Sequence, residues 1–181
     1  FAGMGTSLPN TIVKNNVVQN CVETGIEGPY ELVYHNTVKN TGENSVARYT
    51  GSTEAIYIKP TTEFEQKYIG NTIETRGLRC FSSYSNRDDE YKGIYILNNS
   101  MNLENTDASI ACNYTRSDIE INCKKIKKIV IENNTGMMKD KKSVNIYTDK
   151  GYVMDYFSIH NPCMIGSVPE KARYCFNINN N

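Results

Sequence analysis

Asn10-Thr11-Ile12-Val13-Lys14-Asn15-Asn16-Val17-Val18-Gln19-Asn20-Cys21 places a short β-branched strand, an asparagine pair and a second apolar strand in one line. The phrase returns along the chain. It reads Leu32-Val33-Tyr34-His35-Asn36-Thr37-Val38, then Tyr68-Ile69-Gly70-Asn71-Thr72-Ile73, then Tyr95-Ile96-Leu97-Asn98-Asn99-Ser100-Met101. Weaker copies follow at Val130-Ile131-Glu132-Asn133-Asn134-Thr135 and Ser158-Ile159-His160-Asn161-Pro162-Cys163. Aligning Asn16, Asn36, Asn71, Asn99, Asn134 and Asn161 gives intervals of 20, 35, 28, 35 and 27 residues.

A repeat of this length with short strands describes coils that share one core, because no coil can bury its apolar face alone. Asparagine tolerates left-handed backbone angles at a turn, and stacked asparagines can hydrogen-bond along the axis as an amide ladder. A second apolar position follows the turn Asn by ten or eleven residues at Ile26, Val46, Ile110 and Val144. The Asn71 copy reaches Leu78 or Cys80, and the last reaches Cys175. The uneven intervals then read as loops inserted at 51–67, 82–92, 115–128 and 149–156, with Arg87-Asp88-Asp89-Glu90 as a charged loop tip. Helical periodicity is missing, and so are the Asn-Gly and Asp-Gly pairs that mark hairpins. The expected fold is an all-β parallel solenoid of about six coils, one domain over 1–181 and a portion of a longer chain.

Composition narrows the function classes. The 23 asparagines are interleaved with Ile and Val rather than clustered, which separates an ordered repeat from a low-complexity tract. Twenty basic residues balance twenty acidic ones, so no net field draws the chain to nucleic acid or an anionic membrane. No apolar run approaches the roughly 20 residues of a membrane span. The six cysteines lack CxxC spacing and read as small buried hydrophobes, with Cys80, Cys112 and Cys175 on equivalent core positions. No leader is visible ahead of the first coil, so the sequence start does not report location, and no cofactor or metal signature is present.

The Asn10–Cys21 phrase resembles the coils of the pectate-lyase-like superfamily of right-handed parallel β-helices, and the likeness spans roughly residues 8 to 178. The resemblance implies a right-handed helix and a carbohydrate-directed function, since this superfamily includes polysaccharide lyases, glycoside hydrolases, epimerases and bacteriophage tailspikes. It also implies an extracellular or virion setting, a surface polysaccharide as partner, and side-by-side homotrimers of the tailspike kind.

In such proteins a groove runs along one sheet face. The strand after each turn contributes Glu27, Arg48, Arg79, Asn113, Tyr147 and Arg173 as candidates. Arg48 and Arg79 suit binding of an acidic sugar carboxylate or the base of a β-elimination. A lysine one coil before Arg48 would complete a lyase pair, but Glu27-Gly28-Pro29 stands there. Hydrolysis needs two carboxylates, drawn from Glu27, Asp88 and Asp89, with Glu54, Glu63, Glu65 and Glu74 on the preceding coil. Tyr49, Tyr84 and Tyr147, with Arg173, are candidate sugar contacts. His35 and His160 precede turn asparagines and read as turn residues, and Lys124-Lys125-Ile126-Lys127-Lys128 reads as a solvated turn. Three functions follow: a glycan-binding or glycan-degrading module, a structural or adhesive solenoid without an active site, and a free-standing uronate lyase or epimerase.

Overall fold

The computed structural model describes residues 4–5, 11–41, 53–103, 117–136, 144–161 and 176–180. Among these residues every regular element is a β-strand. The chain visits three sheets in a fixed order. The first round is β1 (Met4–Gly5), β2 (Thr11–Lys14) and β3 (Val17–Gln19), and the second is β4 (Ile26–Gly28), β5 (Tyr30–Tyr34) and β6 (Thr37–Thr41). The third is β7 (Glu54–Ile58), β8 (Glu65–Ile69) and β9 (Thr72–Thr75), and the fourth is β10 (Arg79–Tyr91), β11 (Gly93–Leu97) and β12 (Ser100–Leu103). The fifth has β13 (Ser117–Ile126) and β14 (Lys128–Glu132), with Thr135 bridging Ser100. Strands β15 (Val144–Thr148), β16 (Tyr156–His160) and β17 (Phe176–Asn180) follow.

The first strand of each round joins a seven-stranded sheet, the second a six-stranded sheet and the third a four-stranded sheet. Every strand pairing is parallel. The core is three rows of stacked side chains. One runs Ile26, Ile56, Phe81, Ile119 and Val144 in register down the seven-stranded sheet. Val13, Val33, Tyr68, Ile96 and Ile131 form the second, and Val18, Val38, Ile73 and Met101 the third. All are buried, and Tyr68 meets Phe81 edge to face at 5.9 Å, tying two sheets together. Each such side chain contributes roughly 1.5–3 kcal/mol by leaving water.

The asparagine ladder forms from the six residues the repeat picks out. The backbone N–H and Nδ2 of Asn16 both donate to Asn36 Oδ1, at 3.0 Å each. The same double donation passes from Asn36 to Asn71, Asn71 to Asn99, Asn99 to Asn134 and Asn134 to Asn161. The residue just before the ladder Asn is the one with left-handed angles: Asn15, His35, Gly70, Asn98 and Asn133 have φ between 51° and 63°. His35 stacks on Tyr34 at 3.7 Å, and a Cβ on Gly70 would stand 2.4 Å from the His35 ring, so glycine there makes room for the ring. His160 is not the equivalent of His35: it ends β16 in register with Glu132, one residue short of the left-handed position.

The second expected spacing holds at Ile26 and Val144, which stand in one core row ten residues after Asn16 and Asn134, but not between them. Register places Ile56 beside Ile26 and Ile119 beside Phe81, whereas Val46 and Ile110 lie outside the described residues. Segments 51–67 and 115–128, expected as insertions, hold β7, β8 and β13. The length between strands varies ahead of the seven-stranded sheet, at 42–53, 76–78 and 104–116, and also after it, at 59–64 and at 149–155, the last within the expected insertion 149–156. Cys80 is buried and free as expected, but the neighbouring strand begins at Ser117, so Cys112, itself outside the described residues with Cys163 and Cys175, is not its equivalent. The charged segment at 87–90 is part of β10, in a bulge where register slips between Ser85 and Glu90.

Candidate functional site

Successive residues of a strand face opposite ways, so with Ile56, Phe81 and Ile119 in the core, the row Glu27, Tyr57, Ser82, Glu120 and Asn145 faces outward. Tyr84, Asn122 and Tyr147 form the next outward row. Although they face out, Ser82 and Asn145 are only 4% and 2% exposed, whereas Tyr84 is 53% exposed. Neighbouring side chains therefore cover Ser82 and Asn145, and Tyr84 projects.

Glu54 and Arg79 begin β7 and β10 in register, two residues before the core-facing pair Ile56 and Phe81. Arg79 Nη1 lies 3.5 Å from Glu54 Oε1, and Arg79 Nε lies 3.0 Å from Glu120 Oε2. Their side chains are 6%, 7% and 18% exposed for Glu54, Arg79 and Glu120. One cation thus serves two carboxylates from the strands on either side of it. Burial pushes the Glu54 carboxyl up to about 7, partly offset by Arg79 and reinforced by the negative charges of Glu120 and Glu27. Glu54 can therefore give or take a proton near neutrality, as a general acid must.

Glu27 is held by Lys59, with Nζ to Oε1 at 2.8 Å. The Tyr57 hydroxyl donates to the Tyr84 carbonyl at 3.5 Å. Burial, then the nearby Glu54 charge, raises the Tyr57 hydroxyl, and burial with Glu120 does the same for Tyr147. These phenols stay neutral in the working range and present rings and hydroxyl donors.

Several residues picked out from the sequence come together here: Arg79, Glu27, Tyr84 and Tyr147. Arg79 lies within ion-pair distance of two protein carboxylates, Glu54 and Glu120. Arg48, Tyr49 and Arg173 lie outside the described residues, as does Asn113. Asp88 and Asp89 sit on the exposed β10 bulge, where Asp88 accepts from Lys124 Nζ at 3.0 Å and is held below the usual range by that bond. Glu54, expected to face this bulge, faces Arg79 instead. Lys127 pairs with Glu90 and Lys128 with Glu65, so the basic run is spent on neighbouring coils rather than open to an anionic ligand.

Sequence reasoning misses Glu120 as a site residue. The signal is the alternation Ser117-Asp118-Ile119-Glu120-Ile121-Asn122, a strand pattern inside a segment expected as a loop. Among the described residues no group of three or more His, Cys, Asp or Glu is arranged to hold a metal, and no helix is long and apolar enough to cross a membrane. No protein-family model, curated protein or solved structure matches the chain.

Proposed function

We propose that the three sheets close into a right-handed parallel β-helix of about six coils, and that this helix is a carbohydrate-handling module. A glycan lies along the outer face of the seven-stranded sheet, over Tyr57, Tyr84 and Tyr147 and beside Glu27 and Glu120. The setting is extracellular or virion-borne, as in a tailspike or surface-glycan depolymerase, with helices side by side in a homotrimer.

One observation carries the reading. Aromatic rings, which stack on sugar faces, share the outward face of the seven-stranded sheet with the carboxylates of Glu27 and Glu120. A free-standing uronate lyase fits less well, because Arg79 is already engaged by two carboxylates. A purely structural solenoid is the second reading, favoured by the unbroken amide ladder, which stiffens the stack without any ligand.

The test is a panel of bacterial surface and uronate polysaccharides. Binding is scored by affinity electrophoresis, and degradation by reducing ends and by absorbance of unsaturated products. Binding or degradation of at least one polymer is expected. A folded protein that neither binds nor degrades any of them leaves the structural solenoid as the answer.

A further inference from the structure

We infer that the outer face of the seven-stranded sheet selects uncharged glycans, with the sugar chain running across the strands over Tyr84, Asn122 and Tyr147. The inference rests on the carbohydrate reading above and narrows it to a substrate class and a direction of binding.

Tyr84 on β10, Asn122 on β13 and Tyr147 on β15 are partners in one register line over three successive strands. Each follows a buried neighbour, Ser83, Ile121 and Ile146, so all three point outward. Two strand spacings, about 9.6 Å, separate the tyrosines, so they meet different rings of an extended sugar chain. The Asn122 amide between them offers donors and an acceptor to sugar hydroxyls. Tyr84 is 53% exposed and is the open end of the line. Its backbone is tied to β7 by Tyr57, whose hydroxyl donates to the Tyr84 carbonyl at 3.5 Å. A sugar chain laid along one strand would lose a platform, because β10 and β15 each turn one of these rings outward and β13 has no tyrosine.

Charge sets the class. Three cations border this line, and each is matched by a carboxylate. Lys59 Nζ lies 2.8 Å from Glu27 Oε1, Arg79 Nε lies 3.0 Å from Glu120 Oε2, and Lys124 Nζ lies 3.0 Å from Asp88 Oδ1. Matched in this way, these pairs give the face no positive field, so an acidic polymer gains no long-range attraction. It would also bring its own carboxylates up to Glu27 and Glu120, which stand with Tyr57 and Ser82 in the adjacent outward row. An uncharged sugar meets neither obstacle. Its apolar face stacks on the rings, and its hydroxyls bond to Asn122 and the phenols.

The experiment is affinity electrophoresis of the full chain against matched polymers: each uronate polysaccharide of the panel and its carboxyl-reduced, uncharged form, at low and high salt. Neutral surface polysaccharides run alongside, and circular dichroism shows that each variant is folded. Expected is retardation by the uncharged polymers, little changed by salt, because stacking is not screened as charge is. Tyr84→Ala should weaken binding about tenfold, and Tyr84→Phe should keep most of it, since the ring does the stacking. Glu27→Gln frees the Lys59 charge and should add salt-sensitive binding of the acidic member of each pair. Three results would overturn the inference while leaving the carbohydrate reading intact. They are a parent that prefers the acidic members, a Tyr84→Ala affinity within about twofold of the parent, and no gain from Glu27→Gln. Binding of no polymer at all overturns both.

Discussion

Asn71 is joined twice to Asn99: its backbone N–H and its Nδ2 both donate to Asn99 Oδ1, at 2.8 and 2.9 Å. Asn99 in turn donates through Nδ2 to Tyr68 O and to Asn134 Oδ1. One side chain of the fourth round thus satisfies buried groups on the third and the fifth. Asn99→Leu strips a partner from all of them, at about 3–5 kcal/mol, since each orphaned buried group costs about 1–3. Asn16→Leu, at the half-exposed end, loses only donations to Lys14 O and Asn36 Oδ1 and should cost about 1 kcal/mol. Urea denaturation of the two variants measures the difference. Equal losses would mean that the interior rungs act no more strongly than the end.

Gly70 and His35 form a second dependent pair. An alanine at 70 meets two penalties, a left-handed φ of 63° and a Cβ 2.4 Å from the His35 ring. Gly70→Ala should cost about 2–4 kcal/mol. Introducing His35→Asn in the same chain keeps a residue that tolerates left-handed angles and removes the ring, so about half of that loss should return. Strictly additive effects in the double-mutant cycle would show that the ring is not the obstacle.

Acidity should alter stability through Glu54. Its carboxyl takes up a proton at about 7 in the folded chain, against an ordinary 4.5. Between those values the folded state binds more protons than the unfolded state, so stability declines as pH rises from about 4.5 to about 7 and levels off above. The decline attributable to Glu54 is on the order of 3 kcal/mol. Glu54→Gln should flatten that part of the profile and leave the chain more stable than the parent at pH 8. An unchanged slope in the variant would assign the effect to other groups.

Thiol reactivity should follow burial. Cys80 is fully buried with its thiol raised well above the ordinary range by burial, and Cys123 is pushed up to about 11 by burial. Cys21 is partly open. Native-state alkylation with mass mapping should label Cys21 first and leave Cys80 and Cys123 unlabelled until denaturant is added. Early labelling of Cys80 would contradict the packing of the seven-stranded sheet.

How much of this could be read from the residues depended on where the chemistry is local. The ladder was legible because its turn is written into neighbouring residues: an apolar strand, a left-handed residue and an asparagine in one phrase. The turn into the seven-stranded sheet has no fixed composition, and its length ranges from three residues at 76–78 to over ten at 104–116. Register there is set by stacking of Ile26 on Ile56 and Phe81 on Ile119, which local spacing does not reveal. The site shares that weakness. Arg79 and Glu27 stood out as charged residues beside strands, but their neighbours are fixed by register. Without register, Glu54 reads as a partner for Asp88 and Asp89, and Glu120 is hidden inside a segment that reads as a loop.

The ladder also bears on how the chain opens in time. In an ordinary sheet a backbone N–H is guarded by the carbonyl of the next strand, and its exchange with solvent reports that pairing. The N–H groups of Asn36, Asn71, Asn99 and Asn134 are guarded instead by a side-chain oxygen one coil further on. Each is freed when the acceptor asparagine side chain leaves its rung, whether or not the strand ladder beside it has opened. These four amides therefore act as clocks for the ladder itself, and the order in which they exchange gives the end from which the ladder comes apart.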